Sequence, residues 1–324
     1  MRSFAILLLL GAGTAHAGVL KVAELNTSQI RELNRERTAV MLPGGILEEH
    51  GPYLPSYADG FANERIAADL AEAIGARPGW NALVFPPIPL GSGGANEIGG
   101  QYVFPGSYTV RSSTVRAIFM DLATELGEQG FKWVFVVHGH GSPHHNRALD
   151  DACDFFHATY GGQMVHLLGL MEVVGCCDAG RRTATPEALR EDGFTVHAGA
   201  GEHSALMFLR PDLVPGTIRH AQTFTGSSFA DLVTRARRPD WPGYFGSPRH
   251  ASAARGAAQY AQQSAFLKAF ALKVLDGHDP RGGAHLAAKM LEDPAIAKVV
   301  EDSLAREAAQ GARQQQWLKS RAKP

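Results

Sequence analysis

The chain has 324 residues, of which 45% are hydrophobic and 19% are charged, a composition typical of a folded globular protein. Its 31 basic and 32 acidic residues give a formal net charge of -1, so no strong attraction to nucleic acid or to an anionic membrane surface is expected. We therefore expect neither as a partner of the mature protein.

The first seventeen residues have the pattern of a secretory signal peptide. Arg2 precedes an apolar run, and Ala15-His16-Ala17 forms a small-x-small cleavage motif. The run is shorter than the roughly 20 residues of a membrane span, which disfavours the alternative of an uncleaved anchor. We expect cleavage near Ala17, a single domain at 18–324 with a polar C-terminal helical tail, and a periplasmic or secreted location.

Export raises the question of how the three cysteines are paired. In an oxidising compartment Cys153 could pair with Cys176 or with Cys177. The alternative is that all three are reduced and buried as small apolar side chains. The sequence leaves both arrangements open.

Strands and helices alternate along the chain. Apolar runs that end in glycine or proline predict strands within 38–45, 81–91, 132–141 and 163–170. Helical spacing of apolar residues predicts helices within 61–77, 114–131, 146–162, 201–211 and about 251–275, with a polar helix at the end. This order predicts an α/β protein with a mostly parallel sheet covered by helices on both faces.

The first polar cluster follows the first predicted strand, in GGILEEHGPYLPSYAD (44–59). Glu48 and His50 are two residues apart, so in an extended segment both point to one side, while Glu49 points away as a surface or supporting residue. Gly and Pro turns can then return Asp59 to the same place. These residues could hold metal ions. The alternative is a Glu–His hydrogen bond beside a solvated aspartate.

Two further clusters lie just past predicted strand ends or at a helix start. In VHGHGSPHHN (137–146), flanking glycines allow His140 to be presented on a sharp turn. In HAGAGEHSALMFL (197–209), Glu202 lies in the first helical turn, where it could bind metal or simply complement the helix dipole, and His197 could act as a mobile acid or base. Ligands of parallel α/β sheets bind at the carboxyl ends of the strands.

Together these segments offer three carboxylates and at least two imidazoles. That mixture suits Zn²⁺ or Mn²⁺ better than Ca²⁺ or copper. Two such ions about 3.5 Å apart lower the pKa of a shared water and polarise a carbonyl, which suits hydrolysis of a C–N bond. A glycine-rich segment, GSGGANEIGGQ (91–101), lacks the spacing and the lysine of a phosphate-binding loop and is better interpreted as a substrate loop.

Five segments resemble, in order, those of the creatininase (creatinine amidohydrolase) family. GGILEEHGPYLPSYAD resembles its Glu-x-His-Gly-Pro-His-Leu-Pro segment with a trailing Asp, and FPGSYTV (104–110) resembles its Phe-Pro-Gly-Thr segment. VHGHGSPHHN resembles its Asn-Gly-His-Gly segment, and HAGAGEHSALMFLRPDLV its His-Ala-Gly-Glu-x-Glu-Thr-Ser helix start. GYFGSPRHASAARG (243–256) resembles a late Gly-x-x-Gly-Asp-Pro segment.

The resemblance implies a three-layer α/β/α fold and an amidohydrolase with two divalent ions, Zn and/or Mn, often assembled as a homohexamer. It places the metal ligands at Glu48, His50, Asp59, His140 and Glu202, with Asp59 bridging the ions. His197 falls on a histidine near the substrate and is the expected proton shuttle. The expected substrate-binding residues are Gln101, Ser107, His138 and Phe194.

The chain departs from the family pattern around the substrate. Tyr53, His138, Ala200 and His203 replace a His, an Asn, a Glu and a Thr of the family segments. We therefore expect a binuclear hydrolase of non-peptide C–N bonds whose substrate is a small amide, lactam or formamide other than creatinine. One alternative is a family peptidase acting on a short or modified peptide. Another is an exported metal- or ligand-binding protein without turnover.

Overall fold

The computed structural model describes residues 18–321, so the predicted signal peptide lies outside the described part of the chain. Five parallel strands form one sheet in the order β1-β3-β2-β4-β5. They are β1 (Gly18–Lys21), β2 (Thr38–Pro43), β3 (Asn81–Val84), β4 (Trp133–Val137) and β5 (Gln163–His166). The predicted mostly parallel sheet is therefore confirmed.

The central strands β2 and β4 are almost entirely apolar and buried, as expected for strands covered on both faces of a parallel sheet. Their register places Met41 beside Phe135 and Leu42 beside Val136. Alternate residues face opposite layers, so Met41 and Phe135 pack on one side and Leu42 and Val136 on the other.

Twelve helices complete the described chain. They are α1 (Thr27–Arg31), α2 (Ala58–Gly75), α3 (Ser112–Glu128), α4 (Pro143–Tyr160), α5 (Met171–Val174), α6 (Ala179–Arg182), α7 (Pro186–Asp192), α8 (Ala200–Leu209), α9 (Phe229–Ala236), α10 (Ala253–Leu275), α11 (Leu286–Met290) and α12 (Pro294–Arg321). Helices α2 and α10 pack on one face of the sheet, and α3 and α4 pack on the other. The expected three-layer α/β/α architecture is confirmed.

The cysteines are arranged differently from the expected pairings. Cys176 and Cys177, neighbours in the chain, are joined by a disulfide, and Cys153 is free. Cys153 cannot reach them because α4 directs it into the core between helix and sheet. Within residues 18–321, no helix has both the length and the apolar character needed to cross a bilayer.

The C-terminal helix, predicted as a polar tail, packs on the domain along part of its length. Val300, Ser303 and Gly311 of α12 are buried. Glu307 accepts hydrogen bonds from the backbone N–H and the hydroxyl of Ser112, at 2.8 and 2.6 Å. These bonds satisfy free donors at the start of α3 and fix α12 beside it.

Candidate metal centre

Four segments meet at the carboxyl edge of the sheet. The loop after β2 carries Glu48 and His50, and a backbone hydrogen bond from Glu48 to Ser56 (2.9 Å) closes that loop. The first turn of α2 then supplies Asp59, where the positive end of the helix dipole favours a carboxylate. The turns expected from the Gly and Pro residues therefore return Asp59 to the exit of β2.

The loop after β4 presents His140 at the same edge. The amide of Asn146 donates to the carbonyl oxygens of His140 and Ser142, both at 2.7 Å. The amide of Asn63 donates to the carbonyl of Gly44 after β2 (2.8 Å) and to that of Gly139 after β4 (3.0 Å). Asn63 therefore ties the two strand exits together.

Glu202 reaches the site from the first turn of α8, behind a strained turn. Ala198 has a φ of 48°, a left-handed conformation that costs a residue with a side chain of order 1–3 kcal/mol. Its backbone N–H donates to the Glu202 carboxylate at 2.6 Å. The strain is thus located at the residue that orients Glu202.

The donor atoms of these side chains converge. His140 Nδ1 lies 3.0 Å from Glu48 Oε1 and 3.2 Å from Asp59 Oδ2. His50 Nε2 lies 3.6 Å from Asp59 Oδ1 and 4.0 Å from both Glu48 Oε1 and Glu202 Oε2. Two groups of three donors, each within 4.8 Å, share Glu48. One adds Asp59 and His140, and the other adds His50 and His197.

Both imidazoles turn one ring nitrogen toward the carboxylates. His140 Nε2 donates to the carbonyl of Gly93 at 2.9 Å, which leaves Nδ1 to face Glu48 and Asp59. His50 Nδ1 donates to the carbonyl of Glu48 at 3.2 Å, which leaves Nε2 free. His50 is 1% exposed, and its Nε2 has no hydrogen-bond partner within residues 18–321. A buried ring nitrogen that faces three carboxylates fits a proton or, once deprotonated, a divalent cation.

Without metal, the protonation states of the site residues are determined by the close spacing of its carboxylates and imidazoles. Burial alone raises the pKa of the Glu48 and Asp59 carboxyls, but the hydrogen bonds and charges of the neighbouring imidazoles outweigh it and lower both pKa values. Burial conversely lowers the pKa of His140, and the two carboxylates outweigh it and raise that pKa well above its ordinary value. Protons on imidazoles thus supply the positive charge that the carboxylates require.

His197 lies beside the donors and is held by Glu49. Its Nε2 donates to the Glu49 carbonyl at 2.7 Å and lies 3.7 Å from a Glu49 carboxylate oxygen, while its Nδ1 lies 3.8 Å from Glu48 Oε1. Burial lowers the pKa of His197, but the charges of Glu48 and Glu49 raise it to about 10. Glu49 is 4% exposed, so it is a supporting residue of the site and not a surface residue.

The predicted substrate-binding residues make contacts within the protein, and the Ser107 hydroxyl accepts a hydrogen bond from the Glu49 N–H in the site loop (3.1 Å). The Gln101 amide donates to the carbonyl of Ala236 (2.6 Å), and the Ser107 hydroxyl donates to Asn96 Oδ1 (2.7 Å). Phe194 is 41% exposed and forms a bridge with Gly226. Of the described residues that line the cavity beside the candidate metal centre, none is Gln101, Ser107, His138 or Phe194.

His138 lies beneath the site in a buried chain of hydrogen bonds. The N–H of Ser92 donates to His145 Nδ1 (3.3 Å), His145 Nε2 donates to His138 Nδ1 (3.1 Å), and His138 Nε2 donates to the carbonyl of Ile88 (2.9 Å). This order requires both imidazoles to be neutral. Burial, which lowers the pKa of His138 to about 4, is consistent with that state.

A cavity of about 500 Å³ opens onto the candidate metal centre. Glu48, Asp59, His140, His197 and Glu202 lie on one side of it. The glycine-rich segment contributes Gly93, Gly94 and Ala95, and the Ala95 N–H donates to Glu48 Oε2 at 2.9 Å. The same segment also contributes Glu97, and the histidine-rich segment after β4 contributes His144. Sequence reasoning missed the rest of the lining, which includes Ser303 and apolar residues of α11 and α12. In the sequence, only the helical spacing of apolar residues in α12 could have indicated that this helix contributes to the cavity lining.

The fold and the site define a three-layer α/β/α protein with a candidate divalent-metal centre at the carboxyl edge of its sheet. The chain belongs to the creatininase family, because the family model described as creatinine amidohydrolase matches residues 23–270. The relatives named below are hydrolases, and the resemblance seen in the five sequence segments is confirmed.

Three curated proteins are similar to the chain. A mycofactocin precursor peptide peptidase from Mycolicibacterium smegmatis is 30% identical over 39% of this chain, a match that spans about half (49%) of that protein. A protein of the same name from Mycobacterium ulcerans is 25% identical over 76% of this chain and 90% of its own length. A creatinine amidohydrolase from Pseudomonas putida is 28% identical over 54% of this chain and 65% of its own length.

Solved structures show the same fold. A structure titled creatininase Mn superposes with a TM-score of 0.63 at 22% identity, covering 79% of this chain and 99% of its own. A variant creatininase described as Zn-Zn type gives a TM-score of 0.59 at 22% identity, covering 79% of this chain and 98% of its own. At this identity the similarity establishes the architecture alone.

Proposed function

We propose that the protein hydrolyses a C–N bond of an amide, lactam or formamide with the help of two divalent ions, Zn and/or Mn. The observation that carries the proposal is the buried Nε2 of His50, which has no hydrogen-bond partner among the described residues 18–321 and faces Asp59, Glu48 and Glu202. Membership of the creatininase family supports it, as do the names of the amidohydrolase relative and of the Mn and Zn-Zn structural neighbours.

The residues that would hold the ions are Glu48, His50, Asp59, His140 and Glu202, with the two oxygens of Asp59 facing different imidazoles. Bound there, the ions would supply Lewis-acid polarisation of the substrate carbonyl and a lowered pKa for water. The protein itself orients the donors. Gly93 fixes the ring of His140, the Glu48 carbonyl fixes that of His50, and Ala198 fixes Glu202.

His197 is the proposed proton carrier. It lines the cavity, and its Nδ1 faces the Glu48 carboxylate while Nε2 is occupied by the Glu49 carbonyl. A proton on Nδ1 is therefore available at the cavity surface, where the leaving nitrogen of an amide needs one. The hydrogen bond from Nε2 to the Glu49 carbonyl (2.7 Å) fixes the orientation of this imidazole.

The proposal is tested by metal removal and return combined with a substrate panel. Chelated protein is expected to lose turnover of amides, lactams and formamides and to regain it with Zn²⁺ or Mn²⁺. Glu48→Gln should retain the fold and fail to regain turnover. A metal-loaded, folded protein inert toward the whole panel and toward short peptides would instead indicate a binding protein without turnover.

Peptide hydrolysis is a second candidate, favoured by the peptidase relatives at 30% and 25% identity. The metal residues and His197 would act in the same way, since a peptide bond is itself an amide. Product analysis with short peptides beside lactams separates the two. Cleavage of peptides but not of lactams or simple amides would replace the first candidate by the second.

A further inference from the structure

The two C-terminal helices complete the cavity from outside the segment that matches the family model. That match ends at residue 270, and α11 and α12 begin at Leu286 and Pro294. Both helices contribute side chains to the lining of the cavity that also contains the metal-facing residues: Leu286, Met290, Ile296, Val299, Val300 and Ser303. The wall they form is here called the C-terminal wall.

The C-terminal wall is apolar apart from one hydroxyl. Ile98, Val174, Val196 and Phe229 continue the apolar surface around the cavity. Val174 and Val196 remain 48% and 37% exposed, which is unusual for valines beside a charged site and leaves apolar surface open to a ligand. Such surface gains free energy when an apolar group replaces the water against it.

Contacts of α12 with other elements fix the C-terminal wall to the rest of the domain. Glu307 binds Ser112 through both carboxylate oxygens, and the guanidinium of Arg306 lies 4.9 Å from the centre of the Tyr102 ring. Val300 and Ser303 are 8% and 1% exposed. A preformed wall of this kind loses little conformational entropy when a ligand binds.

The volume also exceeds what a very small amide needs. Cavities of roughly 300–1,000 Å³ accommodate molecules of drug size, and this one is about 500 Å³. The metal-facing side would take up only the reacting amide group. The remaining volume, bounded by the C-terminal wall, therefore has to be filled by another part of the substrate or by water.

We propose that the C-terminal wall binds an extended apolar group, aliphatic or aromatic, attached to the amide that is cleaved. This inference rests on the proposed amide hydrolysis and specifies its substrate class. The hydroxyl of Ser303, buried on this lining beside Glu97, offers one polar contact to such a substrate.

The test uses linear primary amides from acetamide to octanamide and the corresponding N-alkyl formamides. In the metal-loaded protein, kcat/KM should rise about fourfold for each methylene buried against the wall, in whichever series directs its chain there. Calorimetric Kd values of the same compounds, measured on Glu48→Gln, should follow the same trend without turnover. Binding and catalysis are thereby measured separately.

Matched variants locate the effect. Val300→Phe fills the cavity and should weaken octanamide binding by about tenfold or more while changing acetamide little. Met290→Ala enlarges the cavity and should move the preferred chain to a longer one. Leu304→Phe, on the same helix but 42% exposed and off the lining, should leave the whole series unchanged. Circular dichroism confirms that each variant is folded.

The possible outcomes distinguish the role of the C-terminal wall from the proposed amide hydrolysis. Turnover with no dependence of kcat/KM or Kd on chain length, in both series, would overturn the role of the wall and leave amide hydrolysis standing. Binding that depends on chain length without turnover would support the wall and overturn the hydrolase. An equal response of Val300→Phe and Leu304→Phe would also overturn the role of the wall.

Discussion

His50 Nε2 lies 3.6 Å from Asp59 Oδ1, too far apart for a good hydrogen bond, although the His50 side chain is fully buried. Two donors that bind one zinc ion at about 2.1 Å with tetrahedral angles are separated by about 3.4 Å. The separation therefore suits a shared cation better than a direct contact, and it accounts for the missing partner of the imidazole.

Replacing His50 by alanine should weaken metal binding strongly. The variant removes a donor that faces three carboxylates and makes one hydrogen bond, to the Glu48 carbonyl. We expect the Zn²⁺ affinity, measured by competition with a chromogenic chelator, to fall by at least about tenfold. His220→Ala, at an exposed position, is the matched control and should bind as the wild type does. Equal affinities for the two variants would remove His50 from the ligand set.

Replacing His197 by glutamine separates proton transfer from metal binding. If His197 carries the proton, kcat should fall by about 10²–10⁴ while metal content stays unchanged. His197 also lies among the donors grouped with Glu48 and His50, so the opposite result is informative. Loss of metal together with turnover would make His197 a ligand and contradict its role as a proton shuttle.

A buried carboxylate away from the cavity should make stability depend on pH. Asp150 accepts hydrogen bonds from His166 Nδ1 (3.0 Å) and His285 Nδ1 (2.9 Å), which join α4 to β5 and to the start of α11. Burial raises the pKa of Asp150, but these two bonds outweigh it and lower that pKa. The bond to Asp150 raises the pKa of His285, against the opposing effect of burial.

The directions of these two pKa shifts define the pH range in which the Asp150–His285 pair stabilises the folded protein. The contribution of Asp150 is present above its unfolded pKa of 3.8 and is lost as pH falls through its lower folded pKa. That of His285 is present below its unfolded pKa of 6.5 and is lost as pH rises through its higher folded pKa. Urea unfolding should therefore show Asp150→Asn least stable, relative to wild type, between about pH 4 and 6.5, by about 1–3 kcal/mol. A difference that does not shrink at pH 9 would contradict this assignment.

Helix α8 is positioned by close contact with α10. A side chain at Gly256 would collide with the carbonyl oxygen of Ser204, two residues after Glu202. Gly256→Ala should therefore cost about 1–3 kcal/mol of unfolding free energy and weaken metal binding by displacing Glu202. Gly282→Ala, where a side chain meets no atom within 4 Å, should change stability by less than about 0.5 kcal/mol. Thermal unfolding and chelator competition measure both effects, and unchanged metal affinity in Gly256→Ala would show that Glu202 does not depend on this contact.

Much of the fold could be predicted because hydrophobic periodicity determines the long elements. The runs at Thr38–Pro43 and Trp133–Val137 are buried on both faces and were found, whereas the edge strand β1, which is partly exposed and pairs only with β3 among the described strands, was not predicted. The short helices α5, α6 and α11 depend on packing against the domain and carry equally little local signal.

The site was predictable where motifs place residues at strand ends. The structure brings Glu48, His50, Asp59, His140 and Glu202 together, as expected from their segments, although their role as ligands stays a prediction. The hydrogen bonds that engage Gln101 and Ser107 within the protein come from tertiary contacts that no spacing encodes. The position of α12 against the cavity was also not predictable, because its sequence is mostly polar and only a few of its apolar residues reach the cavity. Export and assembly into a homo-oligomer also stay predictions.

Elemental analysis of the mature, unchelated protein by plasma mass spectrometry, beside Glu48→Gln, tests the two-ion site most directly. We predict about two equivalents of Zn or Mn per chain in the wild type and sharply fewer in the variant. No stoichiometric metal in the wild type, even after incubation with Zn²⁺ and Mn²⁺, would contradict a binuclear centre at these residues.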